Sequence, residues 1–160
     1  MNPDPLMCNS FAINENETLY IMNADDWARS ILEPTLNDEV PIEIRKLFEV
    51  ARGSMLYGYF FYPLFTLAEE QLYRVGEAAI KTKCDQENVP KSRKDFKNKL
   101  EYLLKKKKIT QLEYEDWETI RKLRNISSHP NEQTILPPGC VIESLNFIAD
   151  KVNSLFNSQI

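Results

Sequence analysis

The sequence is poor in the residues that build several common kinds of functional site. It holds only 4 glycines, 3 cysteines and 1 histidine among 160 residues. Three widely separated cysteines provide neither a disulfide framework nor a thiolate metal site. One histidine cannot complete the usual zinc ligand set, and the chain has no glycine-rich phosphate loop. We therefore expect no metal and no cofactor, and a reducing cytoplasmic environment.

Long apolar runs are also missing. The longest stretch without charge, residues 54–68, is shorter than the roughly 20 residues that a membrane span requires. The first five residues, Met1–Pro5, show neither the basic nor the apolar region of a signal peptide. These features predict a soluble protein without a membrane partner.

Charge is unevenly distributed along the chain. The net charge is −4, yet residues 91–124 carry twice as many basic as acidic side chains. Such a segment can attract an anionic ligand. The lysine run 105–108 is also typical of a solvated helix end.

The pattern of apolar residues predicts an all-α fold with one domain. We expect an irregular N-terminal segment over residues 1–24, with a short strand near 18–22, and a helical domain over 25–160. Asp25 should cap a short helix that reaches about Leu32. Pro41 should open a long second helix that Pro63 kinks or restarts. Its apolar positions are Ile44, Leu47, Phe48, Ala51, Met55, Leu64, Leu67, Ala68, Leu72 and Val75.

Further helices follow after a predicted loop at residues 82–91. Ser92 with Asp95, and Thr110 with Glu113, match the reciprocal capping arrangement. They predict helices near 93–107 and 111–127, the second with Trp117, Ile120 and Leu123 facing inward. A last helix should start near Pro138, with Val141, Leu145, Ile148, Val152 and Leu155 on its buried side. The result is a four- to five-helix bundle.

The clearest chemical signal lies at the end of the 111–127 helix. Arg124 and Asn125 are followed by Ser128 and the single histidine, His129. Histidine exchanges protons near neutral pH, and arginine presents a planar cation suited to phosphate oxygens. Together they indicate a site that cleaves a phosphodiester bond.

An arginine, a polar residue and a histidine, with four to six residues between the arginine and the histidine, at a helix end in a small all-α domain, resemble the HEPN superfamily. The resemblance covers roughly residues 41–157. It implies a metal-independent endoribonuclease of the toxin or phage-defence kind, acting as a homodimer and leaving a 2′,3′-cyclic phosphate. Arg124 and His129 would be catalytic, and Asn125 and Ser128 supporting. An antitoxin or another protein could be a partner.

Other residues are candidates for supporting roles. Glu69 and Glu70 are adjacent, so one can be buried and one solvated, and Glu70 is the predicted supporting carboxylate. Arg121, Lys122 and Tyr73 are candidate substrate contacts. In the aromatic cluster at 57–65, we expect Phe60, Phe61 and Phe65 in the core, and the tyrosines at a subunit interface or stacked on bases.

Two alternatives remain at this stage. A histidine after a helix can cap carbonyl groups, and an arginine can pack on an aromatic ring, which are both purely structural roles. The same fold can also serve as a HEPN-like dimerisation or adaptor module that binds a protein or a nucleotide without catalysis.

Overall fold

The computed structural model describes residues 2–9, 11–13, 19–93, 95–127 and 137–157, and helices dominate these ranges. A 3-10 helix at Pro5–Asn9 and two paired antiparallel strands, β1 Phe11–Ile13 and β2 Leu19–Ile21, come first. The helices are α1 Ala24–Leu32, α2 Ile42–Gly58, α3 Leu64–Gln86, α4 Phe96–Lys105, α5 Gln111–Ser127 and α6 Pro138–Phe156. The predicted all-α class is confirmed for the domain that follows residue 24, and β2 lies where a strand was expected.

Helix α3 is the centre of the bundle, since it contacts α2, α4, α5 and α6. A helix surrounded in this way must be apolar on several sides, and ten of its residues, from Phe65 to Cys84, are buried. The largest buried side chains of the core come from most of the helices: Trp27, Phe48, Phe65, Leu72, Leu100 and Trp117. The core therefore forms around α3.

The chain reverses between α2 and α3. We expected one long helix kinked or restarted at Pro63, and the kinked form is wrong because α2 ends at Gly58 and α3 begins at Leu64. Proline removes a backbone donor, so a separate helix can start after it at no cost in hydrogen bonds. Gly58 allows the close turn, since a Cβ atom there would overlap the Phe65 ring.

The N-terminal segment packs on this turn. The Asp4 amide donates to the Tyr59 carbonyl at 2.8 Å, and the Asp4 carboxylate accepts from the Tyr62 amide at 3.0 Å. Met7 is buried in the core cluster. The segment therefore pairs with one amide and one carbonyl group of the turn.

Three side-chain hydrogen bonds join the α1–α2 connection to α6. Asn153 Oδ1 accepts from the Asn37 amide at 2.9 Å, and Asn153 Nδ2 donates to the Thr35 carbonyl at 2.9 Å. Asn37 Nδ2 donates to Asn157 Oδ1 at 2.8 Å. We call this group the asparagine clasp. It holds together segments that are far apart in sequence.

Two predicted helix starts are wrong in detail. Asn23, rather than Asp25, caps α1, because its side chain accepts from the amides of Asp25 and Asp26. These two acids then lie in the first turn, where the helix dipole favours negative charge. Asp95, rather than Ser92, caps α4 by accepting from the Asn98 amide at 2.8 Å.

Helix α3 also continues into the predicted loop, as far as Gln86. Asn88 stops it with a φ of 52°, and the Val89 amide returns to the Cys84 carbonyl at 2.9 Å. This is the pattern in which a left-handed residue ends a helix, and asparagine tolerates that conformation. Lys107, with a φ of 55°, ends α4 in the same way. The lysine run 105–108 is an exposed helix end, as expected.

The predicted starts of α5 and α6 are confirmed. The Thr110 amide donates to Glu113 Oε2 at 2.7 Å, and the Glu113 amide donates to Thr110 Oγ1 at 3.2 Å. All five apolar positions predicted for α6 are buried. Leu123 is the exception on α5, because it is 40% exposed although Trp117 and Ile120 are buried. Within the described ranges, no helix is long and apolar enough to cross a bilayer.

Candidate functional site

Arg124 lies in the last turn of α5 and reaches across to α3. Its Nη2 donates to Glu77 Oε2 at 3.1 Å, and the two side chains are 46% and 45% exposed. Both groups are therefore accessible to a ligand from solvent.

The close packing of α5 on α3 brings this pair together. A Cβ atom at Gly76 would lie 3.2 Å from Ile120 Cγ2 and 3.4 Å from Trp117 Cζ3. Glycine thus allows α5 to approach α3 at this level. Glu77 follows Gly76 directly, and Arg124 is one turn after Ile120, so the contact that buries Ile120 also places the two charges side by side.

Arg121 is held differently, by a neighbour on its own helix. Its Nε and Nη2 donate to the two carboxylate oxygens of Glu118 at 2.8 and 3.0 Å. This hydrogen-bonded fork lowers the pKa of Glu118 and raises the pKa of Arg121. Arg121 remains a predicted substrate contact, but a ligand would have to share its guanidinium with Glu118.

A cleft of about 380 Å³ opens beside these arginines, between α4 and α5. Asn125 is exposed and forms part of its wall. The lining carries cations and carboxylates together: Asp95, Phe96, Lys97, Asn98, Glu101, Arg121, Arg124 and Asn125. A smaller pocket adjoins it, lined by Tyr73, Glu77, Phe96, Ile120, Arg121 and Arg124.

Tyr73 is buried and belongs to the core. Its hydroxyl hydrogen-bonds to Glu69, and burial together with the charge of Glu69 raises the pKa of Tyr73. Ser144 on α6 donates to Glu69 Oε1 at 3.1 Å. Tyr73 also lines the smaller pocket, and its role as a substrate contact there stays a prediction.

The prediction for the adjacent carboxylates holds in outline. Glu69 is buried and Glu70 is half-buried. The carboxylate that reaches Arg124 is Glu77, two turns after Glu70 on α3. Glu77 is the residue that sequence reasoning missed. The signal was the four-residue spacing of Glu69, Tyr73 and Glu77, a polar series on an otherwise apolar helix face.

The remaining predicted site residues are placed as follows. Lys122 is exposed on α5. Ser128 and His129 lie outside the described residues. No group of three histidine, cysteine, aspartate or glutamate side chains suited to a metal ion occurs in the described part of the chain.

A second surface feature lies on the outer side of the α2–α3 hairpin. Val50, Tyr57, Phe61 and Leu67 are between 57% and 63% exposed. Gln71 donates to the Leu47 carbonyl at 3.4 Å, so Leu67, one turn earlier on α3, lies beside the part of α2 that follows Val50. We call these four side chains the α2–α3 apolar face.

This face corrects part of the prediction for the aromatic cluster. Phe61 was expected in the core but is exposed, because it sits in the turn between the helices. Phe65 is buried, as expected, whereas Phe60 is only half-buried and packs against the edge of the core. Of the tyrosines, Tyr57 is exposed, whereas Tyr59 and Tyr62 are buried.

Comparison of the chain with protein-family models, curated proteins and solved structures finds no match.

Proposed function

We propose that this protein is a metal-independent endoribonuclease of HEPN type, acting as a toxin or phage-defence effector. The observation that carries the proposal is the exposed pair Arg124 and Asn125 at the end of α5, on the wall of an open cleft. A phosphodiester group bound in the cleft would meet a guanidinium that can satisfy two of its oxygens at once.

The reaction needs no nucleophile from the protein. The ribose 2′-hydroxyl attacks the adjacent phosphorus, and the products are a 2′,3′-cyclic phosphate and a 5′-hydroxyl. Arg124 stabilises the negative charge that develops on the phosphoryl oxygens. His129 transfers protons, and Asn125 orients the substrate by hydrogen bonding. RNA rather than DNA is the substrate because the 2′-hydroxyl is required.

The decisive experiment is cleavage of a mixed RNA pool in EDTA. We expect the wild-type protein to cut RNA but not the equivalent DNA, and to leave 2′,3′-cyclic phosphate ends. Arg124→Ala and His129→Ala should each lower the rate at least a hundredfold, the low end of the range for one acid, base or charge-stabilising group. Arg29→Ala, which removes an exposed arginine on α1, is the matched control and should cut normally. Equal cleavage by all variants would identify a contaminating nuclease.

A second candidate, a dimerisation or adaptor module, is favoured by the α2–α3 apolar face. Isolated exposed apolar residues are ordinary, but a group of them on one face is typical of a contact surface. We expect a homodimer, with Leu67→Glu weakening it and Leu112→Glu, on an exposed α5 position away from this face, leaving it intact. Light scattering at micromolar concentration measures this. A dimer without RNA cleavage would support the adaptor function instead.

A further inference from the structure

We propose that Glu77 is the general base of the same reaction. This inference rests on the proposed ribonuclease function and adds a catalytic residue to it. A single histidine per chain cannot remove one proton and donate another in the same step. The structure places a second proton-exchanging group beside Arg124, within one chain.

The geometry supports a role at the reacting atoms. Glu77 Oε2 lies 3.1 Å from Arg124 Nη2, and both residues line the smaller pocket that adjoins the cleft. A ribose whose phosphate binds Arg124 can therefore lie within reach of the Glu77 carboxylate. The Glu77 side chain is 45% exposed, which leaves it accessible to substrate. A guanidinium has five N–H donors in a fixed plane, so it can contact a carboxylate and a phosphate together.

The chemical step balances with groups already named. The Glu77 carboxylate takes the proton of the 2′-hydroxyl, and the oxygen lone pair forms the new bond to phosphorus. The bond from phosphorus to the 5′ oxygen breaks, and its electron pair stays on that oxygen. The 5′ oxygen then takes a proton from His129, the acid of the proposed function. Glu77 afterwards releases its proton to water and His129 takes one from water, so both groups return to their starting states. Carboxylates serve in this way as general bases.

Several charged or titratable groups surround Glu77 and would shape its pH dependence. Tyr73 and Lys81 are one turn away on α3, and Arg121 and Arg124 face it from α5. The α4 side of the neighbouring cleft adds Asp95, Lys97 and Glu101. Arg124 is the one in direct contact.

The test is the pH dependence of cleavage of a single-site RNA oligonucleotide in variants at Glu77. Glu77→Gln should lower kcat by about 100- to 10,000-fold, the usual effect of losing one acid–base group. It should also remove the acid limb of the pH profile, while KM changes only a few-fold. Glu77→Asp should recover part of the rate. The pair is exposed, and exposed ion pairs contribute little to stability, so these variants should fold.

A matched control separates catalysis from structure. Glu87 also forms an ion pair from the C-terminal part of α3 to a different segment, with Lys108 at 2.7 Å. Glu87→Gln should cleave with the wild-type rate and pH profile. Binding of an uncleavable oligonucleotide with a 2′-deoxy residue at the cut site, measured by fluorescence anisotropy, should be the same or tighter for Glu77→Gln.

Each contrary outcome has a distinct meaning. If Glu77→Gln retains the wild-type rate and pH profile while Arg124→Ala is inactive, Glu77 is only a structural partner and the proposed function stands. If Glu77→Gln cleaves faster, Glu77 competes with phosphate for Arg124, and the inference is wrong. If the wild-type protein does not cleave RNA, the proposed function fails and this inference fails with it.

Discussion

Two glycines on α2 provide a direct test of the hairpin that organises the fold. Gly58 is buried at the end of the helix, and a Cβ atom there would enter the ring of Phe65. Phe65 cannot move aside easily, because the centre of its ring lies 5.2 Å from the ring centre of Trp27 and 5.0 Å from that of Tyr62. Gly53 lies five residues earlier on the same helix, and a Cβ atom there meets no atom within 4 Å.

Gly53→Ala should therefore raise the free energy of unfolding, whereas Gly58→Ala should lower it. Alanine at position 53 should stabilise the protein by about 0.5–1 kcal/mol, since it restricts the unfolded chain and favours helix. Alanine at position 58 has the same advantage in helix propensity. Its methyl group, however, would overpack the core, which costs about 1–3 kcal/mol. We expect the two variants to differ by about 1–3 kcal/mol, which corresponds to roughly 2–12 °C in Tm for a domain of this size.

Urea unfolding followed by circular dichroism measures both variants against the wild type. The midpoint should rise for Gly53→Ala and fall for Gly58→Ala, with the same m-value if the unfolded state is unchanged. Equal stabilisation of the two variants would refute the close contact of Gly58 with Phe65. Since α5 packs on α3, α4 and α6 rather than on α2, Gly53→Ala should leave the proposed RNA cleavage unchanged.

Two further predictions concern ionisable groups. Arg121 holds the pKa of Glu118 in the folded protein below its ordinary value. The pair therefore stabilises the folded state at pH values above the unfolded pKa of about 4.3. This stabilisation is lost as the pH falls through the lower pKa that Glu118 has in the folded state. Glu118→Gln should cost up to about 1 kcal/mol at pH 7 and progressively less as pH falls below about 4 in urea titrations; a cost that does not change with pH would contradict this. In a Cys8→Ser background, Ellman's reagent should modify exposed Cys140 quickly and Cys84 slowly, since burial raises the pKa of Cys84 to about 11. Two fast thiols would show that Cys84 is accessible.

Much of the fold could be predicted because its signals are local. The apolar spacing along α6 and the capping pair at Thr110 and Glu113 depend on residues within a few turns of one another. Both are found where the sequence placed them. The predictions were wrong where two nearby residues could each cap the same helix. Asn23 and Asp25 are both good capping residues, and the choice depends on which backbone amides the chain presents.

Other errors arose from tertiary contacts that periodicity cannot show. The apolar pattern continues through Pro63, so it could not reveal that α3 folds back on α2. Phe61 and Leu67 fit an apolar pattern but point away from the bundle. Their exposure follows from the direction of the turn, which depends on how Gly58 meets Phe65.

The candidate site shows the same difference between local sequence signals and tertiary contacts. Arg124 and Asn125 could be selected from the sequence, because their spacing to His129 is a local pattern. Its spacing on α3 could have marked Glu77 as a polar position, but not as a partner of Arg124, because Glu77 is 47 residues away and becomes a neighbour only through the approach of α5 at Gly76. Tyr73 was selected as a surface contact, yet its hydroxyl turns to Glu69 in the core.

The asparagine clasp has a consequence for the order in which the chain folds during synthesis. Its bonds span 116 to 120 residues, so Thr35 and Asn37 leave the ribosome long before their partners on α6. At roughly 5–20 residues per second, they wait on the order of ten seconds with their polar groups bound to water. The α2–α3 hairpin can form within that interval. Release of a nascent chain before residue 153 would therefore yield a helical intermediate in which the α1–α2 connection is still loose and open to proteases.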